Sequence, residues 1–144
     1  MRLLSSTDFA LRVLIVLASD APGVHVSVET LAEKLGGLSR NHLHKIVQDL
    51  TALGITRTLR GAGGGVMLAM PPEEIRLGAL IRQLEEDQAI VECFRAGECS
   101  CTLMPGCRLR GMLREAQDRF HDSLDQQTLA DCLPPVAPGR RVSL

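Results

Sequence analysis

Apolar residues recur along the first fifty positions at intervals of three and four, the period of helices laid against a core. Behind the segment SSTD, whose hydroxyls and acid suit a helix start, Ala10, Val13, Leu14, Leu17 and Ala18 fall on one side and predict a first helix. DAPG ends it with turn chemistry. A second helix follows in VSVETLAEKLG, with Ser27 as its cap, Val28, Leu31, Ala32 and Leu35 on one face, and Gly36 as its stop. The third, LSRNHLHKIVQDLTALG, starts at Ser39 and stops at Gly54. Two short helices joined across a glycine turn predict a helix-turn-helix.

On the third helix Leu43, Ile46, Val47 and Leu50 share one side, and Asn41, Lys45, Gln48 and Asp49 lie opposite, with Arg40, His42 and His44 on the flanks. In a helix-turn-helix the first turn of the second helix meets the bases, and Asn, Arg and Lys carry the donors that purine edges and phosphates accept. Ser39, Arg40, Asn41, His42 and Lys45 are therefore the candidate DNA readers; an ordinary solvated face is the competing reading of the same pattern.

The period then changes. ITRTLRGAGGGVMLAM reads as strand, glycine turn, strand over Ile55–Leu59 and Val66–Met70. A hairpin behind a helix-turn-helix is a winged helix, with Arg60 at the base of the wing, in reach of a phosphate or the minor groove. The glycines do not form a nucleotide loop, because no lysine follows them and no G-x-G-x-x-G opens a helix. PPEEIRLGALIRQLEED gives a proline-punctuated link and a short helix carrying Leu80, Ile81 and Leu84. From Arg108 a long helix places Leu109, Met112, Leu113, Ala116, Phe120 and Leu124 within an arc of about 120 degrees. Since the first three helices can close a core by themselves, this stripe is expected to pack on a second copy in a two-fold dimer. LPPVAPGRRVSL is a proline-rich, flexible tail.

The expected fold is mainly α with a small β wing. A winged helix-turn-helix spans 1–77, a cysteine loop and dimerisation helix span 78–132, and a flexible tail spans 133–144. With 144 residues, 45% of them hydrophobic, one compact domain with an extension is what the chain can build. No apolar run reaches the roughly 18 residues of a membrane span, and Asp8 and Arg12 interrupt any signal-peptide core, so a soluble, cytoplasmic protein is expected. The net charge of −1 hides a local bias: residues 38–60 carry Arg40, Lys45, Arg57 and Arg60 against Asp49 alone. Such a patch is a footprint for phosphates whatever the total. No nucleophile stands beside a base and no carboxylates pair, so an enzyme is not expected.

Four of the five cysteines fall in VECFRAGECSCTLMPGC, as Cys93, Cys99, Cys101 and Cys107; the fifth is Cys132. Disulfides are not expected in a domain without signs of secretion. Zinc is a weaker match, because its ligands usually sit on two C-x(2–4)-C knuckles and here one C-x-C is flanked by gaps of five. A redox switch of bare thiols beside Arg95 stays open. Best suited is an iron-sulfur cluster, whose several irons accept ligands spaced along a flexible loop. Pro105 and Gly106 bend the loop, and Cys107 lies near a helix start that favours a thiolate.

These segments together resemble the NsrR-like iron-sulfur-cluster winged-helix transcriptional repressors, a family that also includes IscR. The resemblance runs from Met1 to about Cys132 on SSTDFALRVL, SRNHLHKIVQDL, RGAGGG, the C-x5-CRLRGMLREAQDRF that starts at Cys101, and TLAD. It implies a homodimer that represses transcription from palindromic operator DNA and senses nitric oxide through its cluster, [4Fe-4S] rather than [2Fe-2S]. It also implies three cysteine ligands from one subunit and an aspartate at the start of the partner's first helix. Mapped here these are Cys93, Cys101, Cys107 and Asp8. Between Cys99 and Cys101, Cys101 is preferred because it keeps the five-residue gap to the helix, while an upstream loop absorbs insertions. Cys132 is expected to be a bystander, His25, His44 and His121 to ligate nothing, and His121 to be exposed. The doubled cysteine also leaves room for ligation by thiolates alone. The alternatives are a regulator answering iron or redox state, and an iron-sulfur carrier or assembly protein built on a winged-helix scaffold.

Overall fold

A computed structural model of the chain describes residues 2–36, 38–86, 88–97 and 99–135. Its elements in order are α1 (Ser5–Ser19), α2 (Val28–Leu35), α3 (Arg40–Ala52), β1 (Thr56–Leu59), β2 (Gly65–Leu68), α4 (Leu77–Leu84) and α5 (Arg108–Asp125). Short 3-10 turns lie at Pro72–Glu74, Glu92–Phe94 and Leu129–Cys132. Most of the proposed tail, residues 136–144, lies outside the described residues.

The three apolar stripes predicted for α1 to α3 converge. Val13, Leu14, Leu31, Leu43 and Leu50 are fully buried together, with Ala10, Leu17, Ile46 and Val47 close behind. Each such aliphatic side chain contributes about 1.5–3 kcal/mol by leaving water, which is what holds these short helices. The caps of α2 and α3 form as expected: Ser27 accepts from the Thr30 N–H at 3.1 Å, and Ser39 from the His42 N–H at 3.3 Å. Gly36 ends α2 at φ +56°, a conformation glycine adopts freely.

α1 departs from expectation. Its hydroxyls and acid do not cap it: the helix begins behind Leu4, so Ser5, Ser6 and Thr7 fall inside the first turn. No side chain caps α1; an acid from a distant element holds the residue before it, Glu85 accepting the Leu4 N–H at 2.8 Å.

β1 and β2 pair antiparallel with Thr56 opposite Leu68 and Leu59 opposite Gly65. The strands are shorter than predicted, β1 starting at Thr56 and β2 ending at Leu68, while the Ala69 N–H still donates to the Ile55 carbonyl at 2.9 Å. A third segment joins them, since Val26 and Val66 exchange two backbone hydrogen bonds of 2.8 Å. Gly65 lies beside this bridge, where a Cβ would stand 2.6 Å from the Val26 carbonyl oxygen.

α5 lies along α4, and here His121 reverses expectation: it is buried. The cause is Gly78, whose bare backbone lets the helices close until the His121 carbonyl presses on it. Arg82 pairs with Asp125 across the same seam, and Arg76 Nη1 donates to the Asp125 carbonyl at 2.8 Å. After α5 the chain returns. The Leu77 N–H donates to the Gln127 carbonyl at 3.1 Å, the Leu129 N–H to that of Ile75 at 2.9 Å, and Leu129 enters the core with no exposed surface.

Candidate nucleic-acid interface and cysteine loop

The core residues of α3 fix which side of it meets solvent. Ser39, Arg40, Asn41, His42 and Lys45 are all exposed. Arg40 stands 3.8 Å from Glu29, and Lys45 2.6 Å from Asp49, in surface pairs worth well under about 1 kcal/mol each. Phosphates can displace such acids cheaply. Between α3 and the wing runs a groove of about 410 Å³ lined in part by Glu29, His44, Gln48, Thr58 and Arg60. Arg60 is exposed at its edge, and His44, assigned no role in the sequence, faces the same space.

A set of contacts the sequence reading missed connects α1 to this surface. Asp8 pairs with Arg12 at 2.9 Å, the Arg12 guanidinium lies 5.5 Å from the centre of the Phe9 ring, and Phe9 meets His42 edge-on at 6.3 Å. Asp8 and His42 thus stand at two ends of one run of touching side chains. The four-residue spacing of Asp8 and Arg12 was the available signal.

The cysteine loop is tied at its base. Cys93 sits in the Glu92–Phe94 turn, and its carbonyl accepts from Arg110 Nε at 3.4 Å. The Phe94 ring lies under Arg114 at 4.4 Å and Arg110 at 5.8 Å. Ser100, between Cys99 and Cys101, donates to Glu92 at 3.0 Å. Cys107 is the cap residue of α5, with no side-chain hydrogen bond and no acid in the turn that follows.

Cys93, Cys99, Cys101 and Cys107 are half-buried free thiols, while Cys132 is exposed. Burial, then the charge of Asp131, pushes the Cys132 thiol up, away from the thiolate a metal needs. Among the described residues no three Cys, His, Asp or Glu side chains converge on a point that could hold a metal ion, so the loop is fastened but its sulfurs are not gathered. Asp8 stands apart on α1, engaged by Arg12. The donor types nevertheless suit an iron-sulfur centre: four soft sulfurs on one loop, with arginines at its base to balance an anionic cluster.

Comparison with known proteins places this arrangement. A family model described as Rrf2, iron-dependent transcriptional regulator, matches residues 3–135. The HTH-type transcriptional regulator NsrR of Bacillus subtilis (strain 168) is 43% identical over 131 residues, 91% of this chain and 89% of that protein. Among solved structures, T. potens IscR superposes with a TM-score of 0.71 at 25% identity, covering 92% of this chain and 85% of that one. Staphylococcus aureus CymR gives 0.70 at 28% identity, covering 93% and 99%. The relatives are named as regulators of transcription rather than as enzymes. No described helix is long and apolar enough to cross a membrane. The chain belongs to the Rrf2 family of winged-helix transcriptional regulators.

Proposed function

We propose that this chain is a cytoplasmic repressor that binds palindromic operator DNA as a homodimer, and that an iron-sulfur cluster makes the binding responsive to nitric oxide. The observation that carries this reading is the pairing, in one chain, of an exposed hydrogen-bonding turn on α3 with four free thiols on the loop that opens α5. The nitric oxide part rests on the resemblance to the NsrR-like repressors, which the 43% identity to a Bacillus subtilis protein of that name supports. Cys93, Cys101 and Cys107 would hold the cluster together with Asp8 of the partner subunit. A bound [4Fe-4S] cluster supplies iron open to nitric oxide; a [2Fe-2S] cluster is the lesser candidate.

The chain's own groups do the rest. Asn41 and Arg40 meet base edges, Ser39, His42 and Lys45 position the helix against the backbone, and Arg60 reaches a flanking phosphate. In a dimer the two α3 helices must match half-sites about 34–36 Å apart per helical turn. Asp8 contacts Arg12, Arg12 covers Phe9, and Phe9 abuts His42, so a change in what Asp8 holds alters the support of the reading turn. A gel-shift titration on anaerobically purified protein, with and without nitric oxide, tests the reading. Operator affinity is expected to collapse on treatment; unchanged affinity rejects the sensor role, and no sequence-specific binding at all rejects the repressor.

A further inference from the structure

The loop offers one thiol more than the three that the reading above uses. Resting on that reading, we propose that Cys99 is an alternative fourth cluster ligand, supplied within the chain and able to stand in for Asp8 of the partner subunit.

Four observations lead there. The spacing is symmetric, C-x5-C-x-C-x5-C, so Cys99 stands to Cys93 as Cys101 stands to Cys107. The bond from Ser100 to Glu92 pins the residue between the two inner cysteines beside the residue preceding Cys93. Each inner cysteine is one peptide, about 3.8 Å between Cα atoms, from Ser100, so the tie holds both on the side of the loop that carries Glu92. A separate bond, from Arg110 to the Cys93 carbonyl, fastens the first cysteine to the first turn of α5, three residues past Cys107. Cys99 is also half-buried and free like the other three, unlike the exposed Cys132.

The chemistry agrees. A thiolate is the softer ligand and the one iron-sulfur clusters ordinarily take, whereas the Asp8 carboxylate already has a guanidinium at 2.9 Å. Both donors carry one negative charge, so exchange leaves the demand on the surrounding arginines unchanged. The Cys99 thiol releases its proton to water, the carboxylate departs as an anion paired with Arg12, and no electrons move.

The test uses full-length protein purified without oxygen: wild type, Asp8→Ala, Cys99→Ala and the double variant. Native mass spectrometry reports the cluster, and alkylation of the native protein followed by peptide mapping reports which cysteines are free. Each single variant is expected to keep a cluster of wild-type mass. The double variant should lose occupancy at least about tenfold, and Cys99, alkylated in the wild type, should be protected in Asp8→Ala. If Asp8→Ala alone empties the chain as fully as the double variant, or Cys99 is alkylated equally in both backgrounds, the proposal is wrong. Wild-type protein free of iron and sulfide would instead overturn the cluster reading itself.

Discussion

Gly78 shows how much one absent side chain can decide. A methyl group there would overlap the His121 carbonyl and stand 2.6 Å from Asp125 Oδ1. Replacing a helical glycine by alanine ordinarily gains about 0.5–1 kcal/mol, whereas forcing atoms into a closed interface costs about 1–3. The clash wins, and Gly78→Ala is expected to lower stability by about 1–2 kcal/mol in urea denaturation; a stabilised variant would show that α4 and α5 are not packed this tightly. At the same seam the hydrogen bond from Arg82 holds the Asp125 carboxyl below the usual range, against the opposing effect of burial. A carboxylate depressed on folding contributes stability that is present above its unfolded value near 4 and lost as pH falls through the lower folded value. Asp125→Asn should therefore flatten the fall of the unfolding midpoint below about pH 4 while changing the curve little near neutrality in shape. None of this seam was legible from periodicity, because α5 meets its own chain with a polar face, Arg110, Arg114, His121 and Asp125, held by hydrogen bonds and ring contacts. That is why His121 read as exposed.

At the scale of the element, α3 was the most legible part of the chain. Its apolar face had to find the stripes of α1 and α2, and once Leu43, Ile46, Val47 and Leu50 are inside, Asn41 and Lys45 have nowhere to go but out. The start of α1 was misread for the opposite reason: the residue before it, Leu4, is held by Glu85, some eighty positions away, which no local pattern announces. Two residues of the exposed face of α3 also separate two effects on DNA. Lys45→Ala is expected to weaken binding to all sequences alike and to reduce the slope of log affinity against log salt by about one, the signature of one lost phosphate contact. Asn41→Ala should instead leave the slope alone and cost about 1–3 kcal/mol on the cognate site, with discrimination lost at one base pair. Titrations at several salt concentrations, on operator and on scrambled DNA, separate the two; identical behaviour would remove Asn41 from the base-reading set.

For the whole molecule, the stripe on α5 has no partner at its upper end among the described residues. Leu109 and Met112 are more than half exposed, an arrangement costly in water for a monomer. Replacing both by lysine is expected to give a monomer in analytical ultracentrifugation while leaving the helical content unchanged. Operator affinity should then fall by about a hundredfold or more, since two tethered heads bind with an effective concentration a single head lacks. A dimer that survives the double substitution would place the interface elsewhere. The sequence made the existence of this stripe plain, and the cysteine spacing pointed to the loop before any coordinates. How the loop is fastened was not legible, because it depends on ties such as Ser100 to Glu92 that cross the loop between residues with no periodic relation.

Leu129 follows the last turn of α5 and ends in the hydrophobic core, its turn packed beside α1. The long helix is thus a rod anchored at both ends, one in the cysteine loop and one in the hydrophobic heart of the reading head. A rod held this way cannot swing idly. Any displacement imposed on its thiol-bearing end must be absorbed by sliding along α4 or be delivered, through the returning segment and Leu129, to the core that α1 shares with the DNA-reading helix.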